Sequence, residues 1–146
     1  MSSPANAAAT CKCGFCIMTI TNPTEAQPPG YCHCNSCRKS HGSPFSLYSQ
    51  VARTNFQVTG PTTEYHSYKG DWNTYRVRCT DCGSPLYVHL GDKDVFVVMS
   101  HFYKDGKLVE GFKPPAHHIW YDLRIVDVKD GLIKKQGWSE PMDQAL

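Results

Sequence analysis

The spacing of the cysteines constrains the fold of this chain more than any other feature. Eight cysteines occur in 146 residues, in three groups with short C-x-C and C-x-x-C spacings. A disulfide between such near neighbours would be strained, whereas thiols at these spacings readily share one metal ion. We therefore predict a metal-binding domain rather than a disulfide framework. The groups are Cys11, Cys13 and Cys16; Cys32, Cys34 and Cys37; and Cys79 and Cys82.

Glycine placement favours one grouping of these thiols over the others that their number allows. A zinc knuckle bends the backbone sharply so that amide groups point at the sulfurs, and glycine tolerates that bend. Gly14 follows Cys13, and Gly83 follows Cys82. We predict that the two knuckles form one closed, structural four-thiolate zinc site. Its ligands are Cys11, Cys13, Cys79 and Cys82.

The middle group of cysteines is followed by a cationic segment instead of a knuckle glycine. Cys32, Cys34 and Cys37 are followed by Arg-Lys-Ser-His-Gly, residues 38–42. Three protein ligands with an open fourth position are typical of a catalytic zinc, so we predict a second zinc here. Cys16 is left over. It is either a small buried side chain, the commonest fate of a lone thiol, or a fourth ligand of the second site.

Short β-strands separated by turn residues account for most of the remaining sequence. Helix is predicted only over Asn35–His41, where Asn35 can cap the first turn and Gly42 can end the last one. The predicted strands are 15–20, 45–51, 55–60, 63–68, 74–79, 85–90, 94–100 and 123–128. The predicted fold class is therefore all-β or β-rich, stapled by metal.

Chain organisation and charge limit the partners that we expect. Residues 1–10 are predicted to be a disordered tail, 11–135 a single zinc-binding domain and 136–146 a weakly ordered tail. The net charge of +2 is too mild for a nucleic-acid surface, and no apolar run approaches membrane-spanning length. The N-terminus also lacks the apolar core of a secretion signal. We expect a cytoplasmic protein without nucleic-acid or membrane partners, with homodimer formation left open.

The cysteine groups and their neighbours resemble the glutathione-dependent formaldehyde-activating enzyme family, which includes centromere protein V. The resemblance covers about residues 11 to 125. It depends on CKCG at 11–14, YCHCNSCRKSHGSPF at 31–45, CTDCGSPLY at 79–87 and the Pro115 to Trp120 segment. It implies a zinc-stapled β-tent in which the three-cysteine site faces a glutathione cleft, and it places His118 in that cleft. Cys16 and Arg78 depart from the family, which usually has an aliphatic and an aromatic residue there.

Charge counting suggests what a three-thiolate zinc can do. Three thiolates leave the unit at about −1, so we expect it to hold a fourth thiolate rather than to activate water. The hypothesised reaction adds the thiolate of glutathione to a small electrophile such as formaldehyde, giving S-hydroxymethylglutathione. Cys34 and His41 are the predicted catalytic residues, with His41 as a proton shuttle. Arg38 and Lys39 are predicted to bind the anionic glutathione.

Several alternatives stay open at this level. The same site, operating in reverse, would act as a carbon–sulfur lyase or isomerase on a larger glutathione conjugate. The domain could instead be a non-catalytic, zinc-held binding module, because fold does not fix function. His33 either supports the metal site or points away from it. Trp72 and Trp120 either wall a ligand cleft or fill the core, and the core is the commoner fate of an isolated tryptophan.

Overall fold

Three β-sheets and one short α-helix form the part of the chain that the computed structural model describes, residues 6–66, 73–91, 94–138 and 140–141. The helix, α1, spans Asn35–His41, as predicted. The strands are β1 (Asn6–Thr10), β2 (Ile17–Thr21), β3 (Gly30–Cys32), β4 (Ser46–Val51), β5 (Phe56–Thr59), β6 (Thr62–His66), β7 (Thr74–Cys79), β8 (Pro85–Leu90), β9 (Val95–Val98), β10 (Tyr103–Lys104), β11 (Lys107–Leu108), β12 (His117–Ile119), β13 (Ile133–Gln136) and β14 (Glu140–Pro141).

A nine-stranded sheet forms the body of the fold, in the order β14-β13-β12-β3-β4-β9-β8-β7-β6. A three-stranded sheet, β1-β2-β5, and the hairpin β10-β11 complete it. Neighbouring strands are antiparallel except at β12, which runs parallel to both β3 and β13. The predicted β-rich class is confirmed.

The strand predictions hold best in the middle of the chain. TYRVRC and PLYVHL form β7 and β8 with the predicted bounds, because both segments are rich in aromatic and β-branched residues. Most other predicted strands overlap observed ones, and the predicted positions 67 and 68 lie outside the described residues.

The predicted strand at 123–128 is wrong. The hydroxyl of Tyr121 accepts a 2.8 Å hydrogen bond from the amide of Val128. The guanidinium Nε of Arg124 donates to Asp127 at 2.7 Å. These bonds fold the segment into a loop around Tyr121, so its backbone amides are not available to a sheet.

Both predicted tails contain ordered strands. Asn6–Thr10 pairs in antiparallel register with β2, and Ala7 and Ala9 of this strand are buried. Alanine has little β-propensity, so packing rather than local preference forms β1. Near the other end, Gln136 belongs to β13 and pairs with β14. The disordered tail predicted for residues 1–10 is therefore wrong for residues 6–10, while residues 1–5 and 142–146 lie outside the described part.

The apolar core lies between the three-stranded sheet and one face of the large sheet. Its members are buried aliphatic and aromatic side chains, each of which contributes about 1.5–3 kcal/mol when fully removed from water. The largest fully buried side chains in this cluster are Met18, Ile20, Leu86, Val97, Met99 and Phe102.

The opposite face of the large sheet carries a different set of side chains. Arg76 on β7 lies opposite Val88 on β8, and Val88 lies opposite Phe96 on β9. Since successive side chains of a strand point to opposite faces, this row points away from the side that carries Val97. The helix α1 and the segment around Trp120 border the same space.

Candidate metal centres and cavity

Four cysteines come together as the knuckle prediction requires. The sulfur atoms of Cys11, Cys13, Cys79 and Cys82 all lie within 4.8 Å of one another. The Cys11 and Cys13 sulfurs are 3.5 Å apart, and those of Cys13 and Cys79 are 3.7 Å apart. A tetrahedral zinc with bonds of about 2.3 Å to sulfur separates its ligands by about 3.8 Å. The four thiols therefore fit one tetrahedral ion that ties the start of the chain to β7 and the turn after it.

The backbone around these thiols has the knuckle geometry. The amide of Gly14 donates to the carbonyl of Cys11 at 3.1 Å, and the amide of Gly83 donates to that of Cys79 at 2.9 Å. Gly14 has φ of 85° and Gly83 has φ of 74°, in the left-handed region where a side chain would be strained. These two glycines let both turns close around the sulfurs.

Cys16 is a buried side chain and belongs to neither group of thiols. It is 0% exposed and lies in the apolar core. Its thiol donates to the carbonyl of Pro61 at 3.1 Å, while its amide donates to the sulfur of Cys11 at 3.3 Å. The structure thus supports the first alternative for Cys16, with its backbone supporting a ligand of the four-cysteine site.

The three-cysteine site is built at the start of α1. Cys32 ends β3, Cys34 is the N-terminal cap of the helix and Cys37 lies in its first turn. The three sulfurs lie within 4.8 Å of one another. The amide of Cys37 donates to the sulfur of Cys34 at 3.3 Å, so Cys34 caps the helix. The sequence predicted Asn35 as the cap, and that prediction is wrong.

A cation from a distant strand lies against this site. Nη2 of Arg76 is 3.9 Å from the sulfur of Cys37 and 3.2 Å from the hydroxyl of Ser36. Hydrogen bonds from the thiols of Cys32 and Cys34, and then the charge of Arg76, hold the pKa of Cys37 well below its usual value. Nε and Nη1 of Arg76 are buried and have no hydrogen-bond partner among the described residues.

Arg38 and Lys39 do not occupy the position that the sequence suggested for them. Nε of Arg38 donates to the carbonyl of His33 at 3.3 Å, and its Nη2 donates to the side chain of Asn35. Lys39 is exposed on the outer side of α1. Neither residue lines the cavity beside the three thiols. Arg76 supplies the cation there instead.

The three-cysteine site opens on a cavity of about 430 Å³. Ligand sites range from about 300 to 1,000 Å³, so this space suits a molecule far larger than formaldehyde. His41 lines its wall, as expected of a group that serves a bound ligand, and burial lowers its pKa. A second cavity of about 350 Å³ shares His41 and Ser46 with the first. Apolar side chains that line the larger cavity are Leu47, Val88, Leu90, Phe96, Ile119, Trp120, Leu123 and Trp138.

His118, a predicted substrate contact, is enclosed in the protein. It is 0% exposed; its Nε2 lies 2.7 Å from a carboxylate oxygen of Asp130, and its Nδ1 lies 2.8 Å from Nε2 of His33. The carboxylate can only accept, so Nε2 of a neutral His118 donates to it and Nδ1 accepts from His33. The amide of His33 also donates to the carbonyl of Ile119 at 3.1 Å. These bonds fix the backbone between Cys32 and Cys34, which gives both histidines a positioning role.

Arg78 joins the two cysteine sites. Its Nη1 donates to the carbonyl of Gly83 in one knuckle at 3.0 Å, and its Nη2 donates to the carbonyl of Ser40 in the last turn of α1. A cation at a helix C-terminus also complements the helix dipole. The helix that carries Cys37 is thereby fastened to the four-cysteine site.

Trp120 lines the cavity. The sequence favoured the alternative, in which this tryptophan fills the core. Its backbone is left-handed, with φ of 53°, a conformation that is costly for a bulky residue. The amide of Trp120 donates to the carbonyl of Gly137 at 2.7 Å, which holds the turn. Trp72 lies outside the described residues.

Sequence reasoning missed Arg76 and Asp130. A signal for Arg76 existed, since a charged residue in the middle of a strand such as TYRVRC needs a partner or a function. Its proximity to Cys37 could not be inferred, because 39 residues separate them. Asp130 belongs to no motif, and its bond to His118 joins the loop before β13 to β12.

Comparison with known proteins agrees with this description. A crystal structure of a Rhodobacter sphaeroides protein, solved by structural genomics, is similar at a TM-score of 0.54 and 16% identity over 75% of this chain and 99% of that one. At this identity the likeness shows the fold alone. No helix in the described ranges is long and apolar enough to cross a membrane. The profile of the glutathione-dependent formaldehyde-activating enzymes matches residues 6–122. The chain therefore belongs to the glutathione-dependent formaldehyde-activating enzyme family.

Proposed function

We propose that this protein is a zinc-dependent enzyme that joins the thiolate of glutathione to a carbonyl electrophile, formaldehyde being the substrate named in the family description. One observation carries the proposal. Three thiols within 4.8 Å of one another open on a cavity and have a guanidinium beside them. A closed structural site would require a fourth protein ligand, and none of the described residues completes this group.

The donor set suits zinc. Thiolates favour soft or borderline ions, and four-sulfur and three-sulfur groups are common zinc sites. When bound at Cys32, Cys34 and Cys37, zinc would supply a position at which the glutathione thiol is held as a thiolate at neutral pH. Two ions per chain, one in each cysteine site, are part of the proposal.

The chain's own residues would favour the addition step. The charge of Arg76 offsets the negative charge of the thiolates. The apolar walls of the cavity keep water from the reacting carbon. The glutathione sulfur forms a bond to the carbonyl carbon, the π electrons of the carbonyl move to its oxygen, and that oxygen takes up a proton. His41 lines the cavity and would pass this proton from solvent.

The size of the cavity favours a second candidate function. A volume of about 430 Å³ with mostly apolar walls is more than a one-carbon substrate requires. The same groups would then cleave the carbon–sulfur bond of a larger glutathione conjugate: the sulfur leaves as a thiolate with the bonding electrons, and the carbon part loses a proton and forms a new π bond. Return of the thiolate to the carbon part would make the reaction a rearrangement. The cytoplasmic location expected from the sequence fits either reaction, since glutathione is abundant there.

The proposal is tested by using NMR to measure the rate at which formaldehyde exchanges into S-hydroxymethylglutathione. This rate is compared with that of the spontaneous reaction in buffer. The intact protein should raise the exchange rate above that of buffer, and Cys34→Ser should return it to the buffer rate. Release of glutathione from an S-conjugate, assayed with a thiol reagent, tests the second candidate.

Cys16→Ser is the matched control because it also removes one thiol, and Cys16 belongs to neither group of cysteines that could share an ion. It should retain two metal ions and full activity. A Cys34→Ser protein that remains as active as the Cys16→Ser protein would refute the assignment of the site.

A further inference from the structure

The guanidinium of Arg76 is the unusual group of the cavity. Two of its three nitrogens, Nε and Nη1, are buried without a hydrogen-bond partner among the described residues. The third, Nη2, bonds to Ser36 and contacts the sulfur of Cys37. Burying charged donors without partners is costly, and such groups in a native protein point to a missing ligand or ion.

The surroundings of Arg76 are apolar. Val88 lies opposite it on β8, and Phe96 lies one strand further along the same row. Leu90 and Trp120 also line this space. Flat rings and aliphatic walls of this kind take the apolar body of a ligand, while a few polar groups fix its orientation. A cation in such a low-dielectric wall attracts an anion much more strongly than it would in water.

We propose that this cavity binds an apolar, ring-sized carboxylic acid and that Arg76 pairs with its carboxylate. The proposal rests on the proposed function in one respect: the bound acid is the partner of glutathione, either as the electrophile or as the carbon part of the conjugate. The ring lies along Val88 and Phe96, and the carboxylate lies at the end of the cavity next to the three thiols.

Glutathione has carboxylates of its own, and the position of Arg76 argues against them as its partners. They are separated from the thiol by several bonds at the two ends of the tripeptide. Arg76 instead lies directly against a ligand thiol, 3.9 Å from the Cys37 sulfur. A glutathione sulfur held at the same site would bring its carboxylates to this guanidinium only if the tripeptide folded back on itself. A carboxylate close to the reacting carbon of the second substrate meets it without strain.

Titration calorimetry on the metal-loaded full chain tests this with three probes. Cinnamate has a ring and a carboxylate, cinnamyl alcohol has the same ring without the charge, and acetate has the charge without the ring. Cinnamate should bind about tenfold or more tightly than either of the others, because a charge-assisted hydrogen bond and apolar contact act together.

The variants Arg76→Gln and Lys39→Gln give the matched comparison, because each removes one positive charge and only Arg76 lines the cavity. Arg76→Gln should lower the affinity for cinnamate about tenfold and leave the affinity for cinnamyl alcohol unchanged. Lys39→Gln should change neither affinity. Arg76→Lys should restore part of the preference for the acid. Metal content and circular dichroism of each variant confirm that it is folded.

Equal binding of cinnamate and cinnamyl alcohol, or unchanged cinnamate binding in Arg76→Gln, would overturn the proposal. A large loss of glutathione affinity in Arg76→Gln without a loss for cinnamate would also overturn it, by assigning Arg76 to the tripeptide. Cinnamate binding that depends on Arg76 in a protein that does not bind glutathione would support this ligand class and refute the proposed function instead.

Discussion

Nη2 of Arg76 lies 3.9 Å from the sulfur of Cys37, although the two residues are 39 positions apart in sequence. This contact places one fixed positive charge beside three thiols whose zinc complex would be negative. Arg76 also lines the cavity, and its Nε and Nη1 are buried without a hydrogen-bond partner among the described residues. The contact therefore connects the three-cysteine site with the cavity.

Replacing Arg76 should reduce turnover more than it reduces metal binding. In Arg76→Gln we expect kcat/KM for glutathione addition to fall about 10- to 100-fold, because the fourth thiolate, that of glutathione, loses its offsetting charge. The protein should still contain two metal ions. Steady-state kinetics with Lys39→Gln as the control check this. An Arg76→Gln enzyme with the kinetics of the control would show that the guanidinium has no part in the reaction.

Loss of the two cysteine sites should have different consequences for folding. Cys82→Ser removes one ligand of the ion proposed to tie the first turn to β7, so we expect it to unfold or to lose most of its stability. Cys34→Ser should remain folded with one metal ion. Urea unfolding and metal analysis of both variants test the distinction. A stable Cys82→Ser protein together with an unfolded Cys34→Ser protein would reverse the structural and catalytic assignments.

Arg78 should couple the stability of the four-cysteine site to the position of α1. Arg78→Gln loses bonds to the carbonyls of Gly83 and Ser40, and we expect the free energy of unfolding to fall by about 1–2 kcal/mol. The variant should also bind glutathione more weakly, because the helix that carries Cys37 is less firmly held. Chemical denaturation and calorimetry measure the two effects. An unchanged free energy of unfolding in Arg78→Gln would mean that these two hydrogen bonds make no net contribution to stability.

Asp130 should stabilise the fold in a pH-dependent way. Burial opposes its ionisation, but hydrogen bonds from Lys134 and His118 hold its pKa well below the usual 3.8. A carboxyl group whose pKa is lowered by folding contributes stability above its unfolded pKa and loses it as the pH falls toward the folded value. We therefore expect Asp130→Asn to cost about 1–3 kcal/mol at pH 7, with a difference that narrows below about pH 4.

Asp127→Asn is the control for this prediction. Asp127 likewise pairs with a basic side chain, that of Arg124, but the Asp127 side chain is 73% exposed, compared with 29% for Asp130. Exposed ion pairs contribute little, so Asp127→Asn should change stability by less than about 0.5 kcal/mol. Equal losses of stability in Asp130→Asn and Asp127→Asn would indicate that the bond between His118 and the Asp130 carboxylate does not stabilise the fold.

The features that the sequence predicted correctly are those encoded locally. Helix α1 was predicted with its observed bounds because Gly42, which ends it, is a local signal, although Cys34 and not Asn35 is its N-terminal cap. The grouping of the four cysteines could be predicted because Gly14 and Gly83 mark two knuckle turns, each with two thiols, and a tetrahedral zinc requires four. Strands such as β7 showed their alternation directly.

The features that were missed depend on distant contacts. The alanine-rich strand β1 has no β signal of its own and forms because Ala7 and Ala9 pack into the core. Residues 123–128 have the apolar content of a strand, but Tyr121 binds their backbone. Arg38 and Lys39 follow the cysteines in sequence, yet the helix turns them away, while strand pairing brings Arg76 to the same thiols from the other side.

Cobalt substitution gives the most direct test of the central claim, that the three-cysteine site holds the glutathione thiolate while the four-cysteine site is closed. With two cobalt ions per chain, glutathione should increase the sulfur-to-cobalt charge-transfer absorption in a saturable way, and S-methylglutathione should not. The response should be retained in Cys16→Ser and lost in Cys34→Ser. A spectrum that does not change with glutathione while both ions are bound would contradict the account.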